Sequence, residues 1–212
     1  MTISRLLRHR IGGGLVRLST MPFECGAHVT RYTMYSRLKA EGRRLPSSFA
    51  RALSVSHSSH LAEIMNVRLE STTNADYPKA DLLNLDFADE SFDIVLSDQV
   101  LEHVEGDPQQ AINESLRVLK PGGYAVHTTC FIVPKHSSPS DFWRFTPEAL
   151  ELLCRGFSEV RADGWGNPLV WPLASLGLIR MPIPHARWHP LNRLATYDHD
   201  DWPICTWVVA RK

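Results

Sequence analysis

The sequence predicts an α/β fold built on a doubly wound, mostly parallel sheet, and three observations carry that prediction. Two short apolar runs, Ile94–Ser97 and Tyr124–Thr129, are separated by an amphipathic stretch with helical spacing. Further apolar runs bounded by turn residues lie on either side, at Ala52–Ser56 and Ile204–Ala210. At 212 residues and 43% apolar content, the chain is long enough for one sizeable core and too short for two.

The central unit follows from its residues. Phe92, Ile94, Val95 and Leu96 form an apolar run without alternation, as a strand buried on both faces requires. Ala111, Ile112, Ser115, Leu116 and Leu119 recur at helical spacing, so one stripe of that helix can lie on the sheet. Pro108 sits just inside the helix start, and Gly122–Gly123 are expected to stop the helix beyond Pro121. Strand, helix and strand make a βαβ unit with a right-handed, parallel crossover.

Other elements are placed around it. A helix is expected over Thr30–Ala40, a first strand at Ala52–Ser56, and a short helix at Leu61–Met65. The second strand ends near Asp76, or near Glu70 if it is only Val67–Glu70. Thr146-Pro-Glu148 is a helix start: a capping threonine, proline in the first turn and an acid at the positive dipole end. Phe157–Ala162 and Ile204–Ala210 read as the closing strands. Between them, an apolar, proline-rich stretch predicts a helix near Leu173–Ile179, then a lid or a contact with a second copy in a homodimer. Trp165, Trp171 and Trp188 are expected to fill the core rather than line a pocket. Residues 1–48 form a helical cap and linker in this reading, and 49–212 the main domain.

Composition excludes several classes. The four cysteines lie far apart with no C-x-x-C pair, which argues against a zinc site and a disulfide framework. No metal is therefore expected, and a reducing, cytoplasmic setting is. No apolar run approaches the roughly 18 residues needed to span a bilayer, so stable membrane insertion is not expected. Net charge is zero, yet residues 1–51 carry ten basic side chains against two acids. That basic start lacks the interleaved aromatics of a nucleic-acid surface, and it lacks the apolar core of a secretion signal. No nucleic-acid partner is expected.

The segment Asp81–Gly123 also matches a known pattern. Asp81 with Leu85 and Phe87, Ser91-Phe-Asp93, Leu101-Glu-His103 and Arg117-Val-Leu-Lys-Pro-Gly-Gly123 occur in one order and spacing. The segment resembles the class I S-adenosylmethionine-dependent methyltransferases of the small-molecule kind called type 11. The resemblance implies a Rossmann-like sheet whose last strand is antiparallel, S-adenosylmethionine as cofactor, and O- or N-methylation of a small-molecule acceptor.

Site residues carry over position by position. Ser54 stands where the family has an acid at the end of the first strand. The following loop, Ser56-His57-Ser58-Ser59-His60, occupies the family's glycine-rich turn without a single glycine. A left-handed backbone there costs about 1–2 kcal/mol per residue without glycine, although serines add little bulk. Ser56 and His57 are expected to meet the cofactor. Asp76, about twenty residues after Ser54, has the usual interval to the carboxylate that accepts the ribose hydroxyls. Asp81 corresponds to the acid set against the adenine amino group, with the Leu82 N–H on the ring. Ser97 and Asp98 would line the cleft beside the transferable methyl. Only Tyr77–Ala80 separates Asp76 from Asp81, so the third strand is expected to be a short edge strand around Leu82–Leu85.

On the acceptor side, the loop from Thr128 to Thr146 resembles a subgroup reading H-x-x-P-x-D-[FY]-W-R-[FY]-T. His136 is the expected catalytic base and His127 the next, since a hydroxyl acceptor must lose its proton to a group titrating near neutrality. Asp141, Trp143 and Arg144 are expected to bind substrate or to form a structural clasp, and His103 to shape the pocket. Two other readings stay open: a methyltransferase-like scaffold that no longer catalyses, for which the glycine-free loop speaks, and a dinucleotide oxidoreductase, which the missing glycines weaken.

Overall fold

The computed structural model describes residues 20–136, 140–176 and 178–212. Residues 1–19, the first part of the basic start, thus lie outside the described residues. In order, the elements are β1 (Cys25–His28), α1 (Val29–Gly42), β2 (Ser48–Val55), α2 (His60–Ile64), β3 (Arg68–Ala75), β4 (Phe92–Asp98), α3 (Pro108–Val118), β5 (Leu119–Cys130), α4 (Pro147–Leu153), β6 (Glu159–Trp165), α5 (Val170–Ser175), β7 (Pro182–Pro184), α6 (Pro190–Thr196) and β8 (Cys205–Arg211). A 3-10 turn covers Leu101–His103.

Six strands form the central sheet in the order β3-β2-β4-β5-β8-β6. The first four are mutually parallel, and β8 inserts antiparallel between β5 and β6, as the sequence predicts. Successive side chains point to opposite faces. Ile94 and Leu96 therefore join the layer containing Met34 and Leu38 of α1, while Val95 joins Ala111 and Ile112 of α3. Burial on both faces is what the unbroken apolar run at β4 requires. Gly42 closes α1 against the turn after α2: a Cβ there would lie 2.0 Å from the Met65 carbonyl oxygen.

Four local expectations are corrected. Leu82–Leu85 is not an edge strand. The Asp81 carboxylate accepts from Leu83 N at 2.9 Å, and the Leu85 N–H goes to the Glu114 carboxylate at 2.8 Å. Arg117 binds the Leu85 and Phe87 carbonyls at 2.9 and 2.7 Å. Two side chains of α3 thus satisfy backbone groups that a strand ladder would have used, and β3 is the sheet's edge. The helix ahead of the glycine pair ends sooner than expected, at Val118, because the chain enters β5 at Leu119, paired with Phe92. The late helix covers Val170–Ser175 rather than Leu173–Ile179. Finally, Trp188 is exposed and Trp171 half-buried, leaving Trp165 alone of the three in the core.

One pairing has no signal in the sequence reading. β1 and β7 form a separate two-stranded antiparallel ribbon, with Cys25 opposite Pro184 and His28 opposite Pro182. It carries the start of α1 to the rim of the main sheet. All four cysteines are free thiols, and no described helix is long and apolar enough to cross a membrane.

Candidate active site

The chain leaves β2 for β3 on one side and returns to β4 on the other, so the order of strands reverses at β2. In an open α/β sheet, ligands bind beyond the carboxyl ends of the strands at such a point. The loop that starts there holds Ser56 at φ +52° and His57 at φ +60°. These are left-handed conformations that glycine would adopt without steric cost. Hydrogen bonds keep the loop in place: Ser56 N donates to the Ala75 carbonyl at 3.0 Å and His57 N to Asp76 Oδ1 at 3.2 Å. The turn therefore has the backbone shape of a glycine-rich loop, with the Ser56 and His57 side chains turned outward and exposed.

Asp98, the last residue of β4, is the hub of the site. Its carboxylate accepts from Tyr35 OH at 3.0 Å and from Thr128 Oγ1, lies 3.0 Å from His60 Nε2, and stands 3.9 Å from Arg31 Nε. Burial alone would raise its pKa, but the His60 contact, Arg31 and the Thr128 hydroxyl outweigh that and hold it at about 2. The same contact raises the His60 pKa. Ser58, fully buried, donates to the Val55 carbonyl and accepts from Asp98 N at 2.7 Å, so it bridges the tips of β2 and β4. The sequence reading gave Arg31 and Tyr35 of α1 no role in the site, whereas Ser58 and His60 lie in the loop it assigned to the cofactor and Thr128 opens the loop it assigned to the acceptor. The five residues come from three separate segments, and their convergence on Asp98 is set by the fold.

The other expected cofactor residues are distributed around this hub. Asp76 follows β3 directly, its carboxylate 34% exposed and 3.5 Å from His57 Nε2. Asp81 is exposed and Leu82 buried, in the turn described above. Ser54 is buried within β2 and its hydroxyl has no hydrogen-bond partner among the described residues. Ser97 is equally buried, its Oγ 2.6 Å from His127 Nδ1. The His127 ring has no exposed surface, its Nε2 has no partner among the described residues, and burial lowers its pKa to about 4. It is placed as a neutral core group without access to a substrate.

Beside the hub lies a cavity of about 330 Å³, whose walls include His28, Arg31, Gln99, Cys130, His136 and Arg180. His28 is lowered to about 4, chiefly by burial and then by Arg31 and Arg180. Asp141 and Arg144 form a two-pronged ion pair, and the same Asp141 carboxylate accepts from His136 N at 2.7 Å. The clasp thus aims the loop that carries His136. Trp143 anchors it from the other side, Nε1 donating to the Val104 carbonyl at 2.9 Å. His103 sits edge-on to His136, ring centres 5.1 Å apart, with its Nδ1 against the Ser140 carbonyl. Next to them, Glu102 is completely buried and its pKa is raised by that burial. Burial also pushes the Cys130 thiol up to about 12.

A family model for a methyltransferase domain matches residues 39–127, which span α1 to β5 and include Ser54, Asp76, Asp81 and Asp98. Residues 39–127 are thus similar in sequence to methyltransferase domains. Among relatives of this domain, an uncharacterized methyltransferase of Mycobacterium sp. (strain KMS) is 52% identical over 50 residues, 24% of this chain and 19% of that protein. A demethylmenaquinone methyltransferase of Clavibacter sepedonicus is 35% identical over 82 residues, 39% of this chain and 33% of that protein. The chain thus spans a third or less of the length of these relatives. Among solved structures, a SAM-dependent methyltransferase of Thermotoga maritima, described as a possible histamine N-methyltransferase, superposes with TM-score 0.50 at 19% identity over 96% of this chain and 97% of its own. Phosphoethanolamine N-methyltransferase 2 of Haemonchus contortus, solved with S-adenosyl-L-methionine, superposes with TM-score 0.53 at 15% identity over 85% of this chain and 52% of its own. These superpositions show the fold of the chain.

Proposed function

We propose that this methyltransferase domain binds S-adenosylmethionine across the tips of β2, β3 and β4 and methylates a small molecule held in the adjoining cavity. The observation that carries the reading is the turn at Ser56–His57. It takes up the left-handed shape of a glycine loop and faces the Asp76 carboxylate at the end of the neighbouring strand. The residues suit the nucleoside end of the cofactor: Asp76 is exposed enough to accept ribose hydroxyls, and Asp81 and Leu82 follow where adenine would lie. At the other end, His60 and Tyr35 are already engaged with Asp98, and binding there must exchange that contact for the ligand's own charges.

When bound, S-adenosylmethionine supplies an electrophilic methyl group on a sulfonium. The chain's task is then alignment. Fixing an acceptor in line can supply about 7–11 kcal/mol of the barrier. The Asp141–Arg144 clasp and the Trp143 anchor hold the His136 wall of the cavity, and Arg31 links that wall to Asp98.

A second reading has one observation behind it. Ser58 and His60 tie the β2 and β4 tips together, as expected if the fold now serves as a non-catalytic scaffold. Calorimetric titration of the full chain with S-adenosylmethionine and S-adenosylhomocysteine separates the two. The enzyme reading expects micromolar binding that Asp76→Ala weakens about tenfold or more, the worth of a charged hydrogen bond. No heat at millimolar ligand would favour the scaffold.

A further inference from the structure

Three potential metal-ligating groups meet at the wall of the acceptor cavity: Glu102 from the turn after β4, Cys130 at the end of β5, and His136 six residues on. One ligand atom from each lies within 4.8 Å of the other two. Glu102 Oε1 is buried with no hydrogen-bond partner among the described residues, while Oε2 accepts from Thr129 Oγ1 at 2.8 Å. An ionised carboxylate taken out of water and left with one bare oxygen is costly unless a cation or a proton meets it.

The surroundings are also those of a metal centre. Asp141 Oδ2 lies 3.5 Å from His136 Nδ1, leaving Nε2 for a ligand, and a carboxylate behind a histidine is the usual support of a metal-bound imidazole. Arg144, the nearby cation, is already neutralised by Asp141. The Glu102 carbonyl accepts from Phe142 N at 2.8 Å and Trp143 N at 3.1 Å, which fixes the clasp loop to the ligand-bearing turn. Cys130 and His136 both line the cavity, so a fourth coordination position would open into it.

We propose that Glu102, Cys130 and His136 bind a single Zn(II) ion whose open position faces the acceptor. A thiolate, an imidazole and a carboxylate suit zinc better than the oxygen-loving Mg(II) or Ca(II), and three protein ligands with one open site is the pattern of zinc centres that bind substrate or water. Metal bonds of about 2.0–2.3 Å require the three atoms to draw together by about 1 Å, within the reach of side-chain rotation. His136 then acts as a ligand rather than as a free base. The sequence had argued against zinc because no C-x-x-C pair exists; here one cysteine suffices, since the other two donors come from distant segments.

The test uses the full chain, stripped with a chelator and titrated with Zn(II) by calorimetry and with Co(II) by absorption spectroscopy. One equivalent of Zn(II) should bind, and Co(II) should give a thiolate charge-transfer band together with the visible bands of tetrahedral cobalt. Cys130→Ser should remove the charge-transfer band and Glu102→Gln should weaken binding, whereas Cys154→Ser, at a buried thiol on the other face of the sheet, should change neither. Absence of stoichiometric binding by the wild-type chain, or a cobalt–thiolate band that survives in Cys130→Ser, would overturn the assignment. Far-ultraviolet circular dichroism confirms that each variant is folded. S-adenosylhomocysteine binding needs none of these ligands, so a failed metal site leaves the cofactor reading standing.

Discussion

His60 Nε2 lies 3.0 Å from Asp98 Oδ2, and this contact joins the loop after β2 to the end of β4 across the reversal point of the sheet. It puts a titratable group over the place where the cofactor's charged end would arrive. His60→Ala should therefore tighten S-adenosylhomocysteine binding by about tenfold, equivalent to about 1.4 kcal/mol of released competition. The raised His60 pKa means that its charged form holds Asp98 most firmly at low pH. Affinity in the wild type should thus rise with pH through the His60 titration, and the variant should lack that dependence. Calorimetry from pH 6 to pH 9, run in parallel on both proteins, decides it; equal slopes would refute the competition.

The left-handed residues at the loop predict a stability gain. Ser56 and His57 hold φ of +52° and +60° and their side chains are exposed. Replacing both with glycine removes steric strain, partly offset by the greater entropy of the unfolded chain. A net gain of about 1 kcal/mol is expected, or a melting temperature about 2–4 °C higher. A lower melting temperature would mean that the serine and histidine side chains contribute more than the strain costs.

The Asp141–Arg144 clasp predicts a loss. The Asp141 side chain is 1% exposed, so Arg144→Ala leaves a buried carboxylate without its guanidinium. The cost should be about 3 kcal/mol, read as a shift of the urea midpoint at constant slope. Arg144→Lys keeps the charge without the planar fork and should recover only part of it.

His127 predicts an acid-side loss of stability. Burial lowers its pKa from 6.5 to about 4. Between those values the unfolded chain takes up a proton that the folded chain refuses, so this contribution is complete above pH 6.5 and declines as pH falls toward 4. The wild type should lose about 2–3 kcal/mol from this group by pH 4.5. His127→Gln should show a shallower decline between pH 7 and pH 4.5 in urea titrations; an unchanged decline would assign the effect to other groups.

The legibility of the sequence followed how local each feature is. The βαβ unit from β4 to β5 was readable because periodicity is written in consecutive residues: an unbroken apolar run, then a helical stripe on α3. The capping of α4 by Thr146, whose hydroxyl accepts from Ala149 N at 3.2 Å, was readable for the same reason. The expected strand at Leu82–Leu85 was misread because Glu114 and Arg117, some thirty residues later, supply the hydrogen bonds that a ladder would have made.

By itself, then, the sequence determined the layered α/β architecture, the antiparallel last strand through its family pattern, and the chain positions of Asp76, Asp81 and Asp98. Hydrophobic spacing and short motifs are local properties, and they survive without coordinates. Only the tertiary structure decided which side chains converge. It placed His60 and Tyr35 on Asp98, sealed His127 inside the sheet, and brought Glu102 and Cys130 to His136. Those encounters join residues up to 63 positions apart, and they depend on strand order and loop closure, which no single window of the chain records.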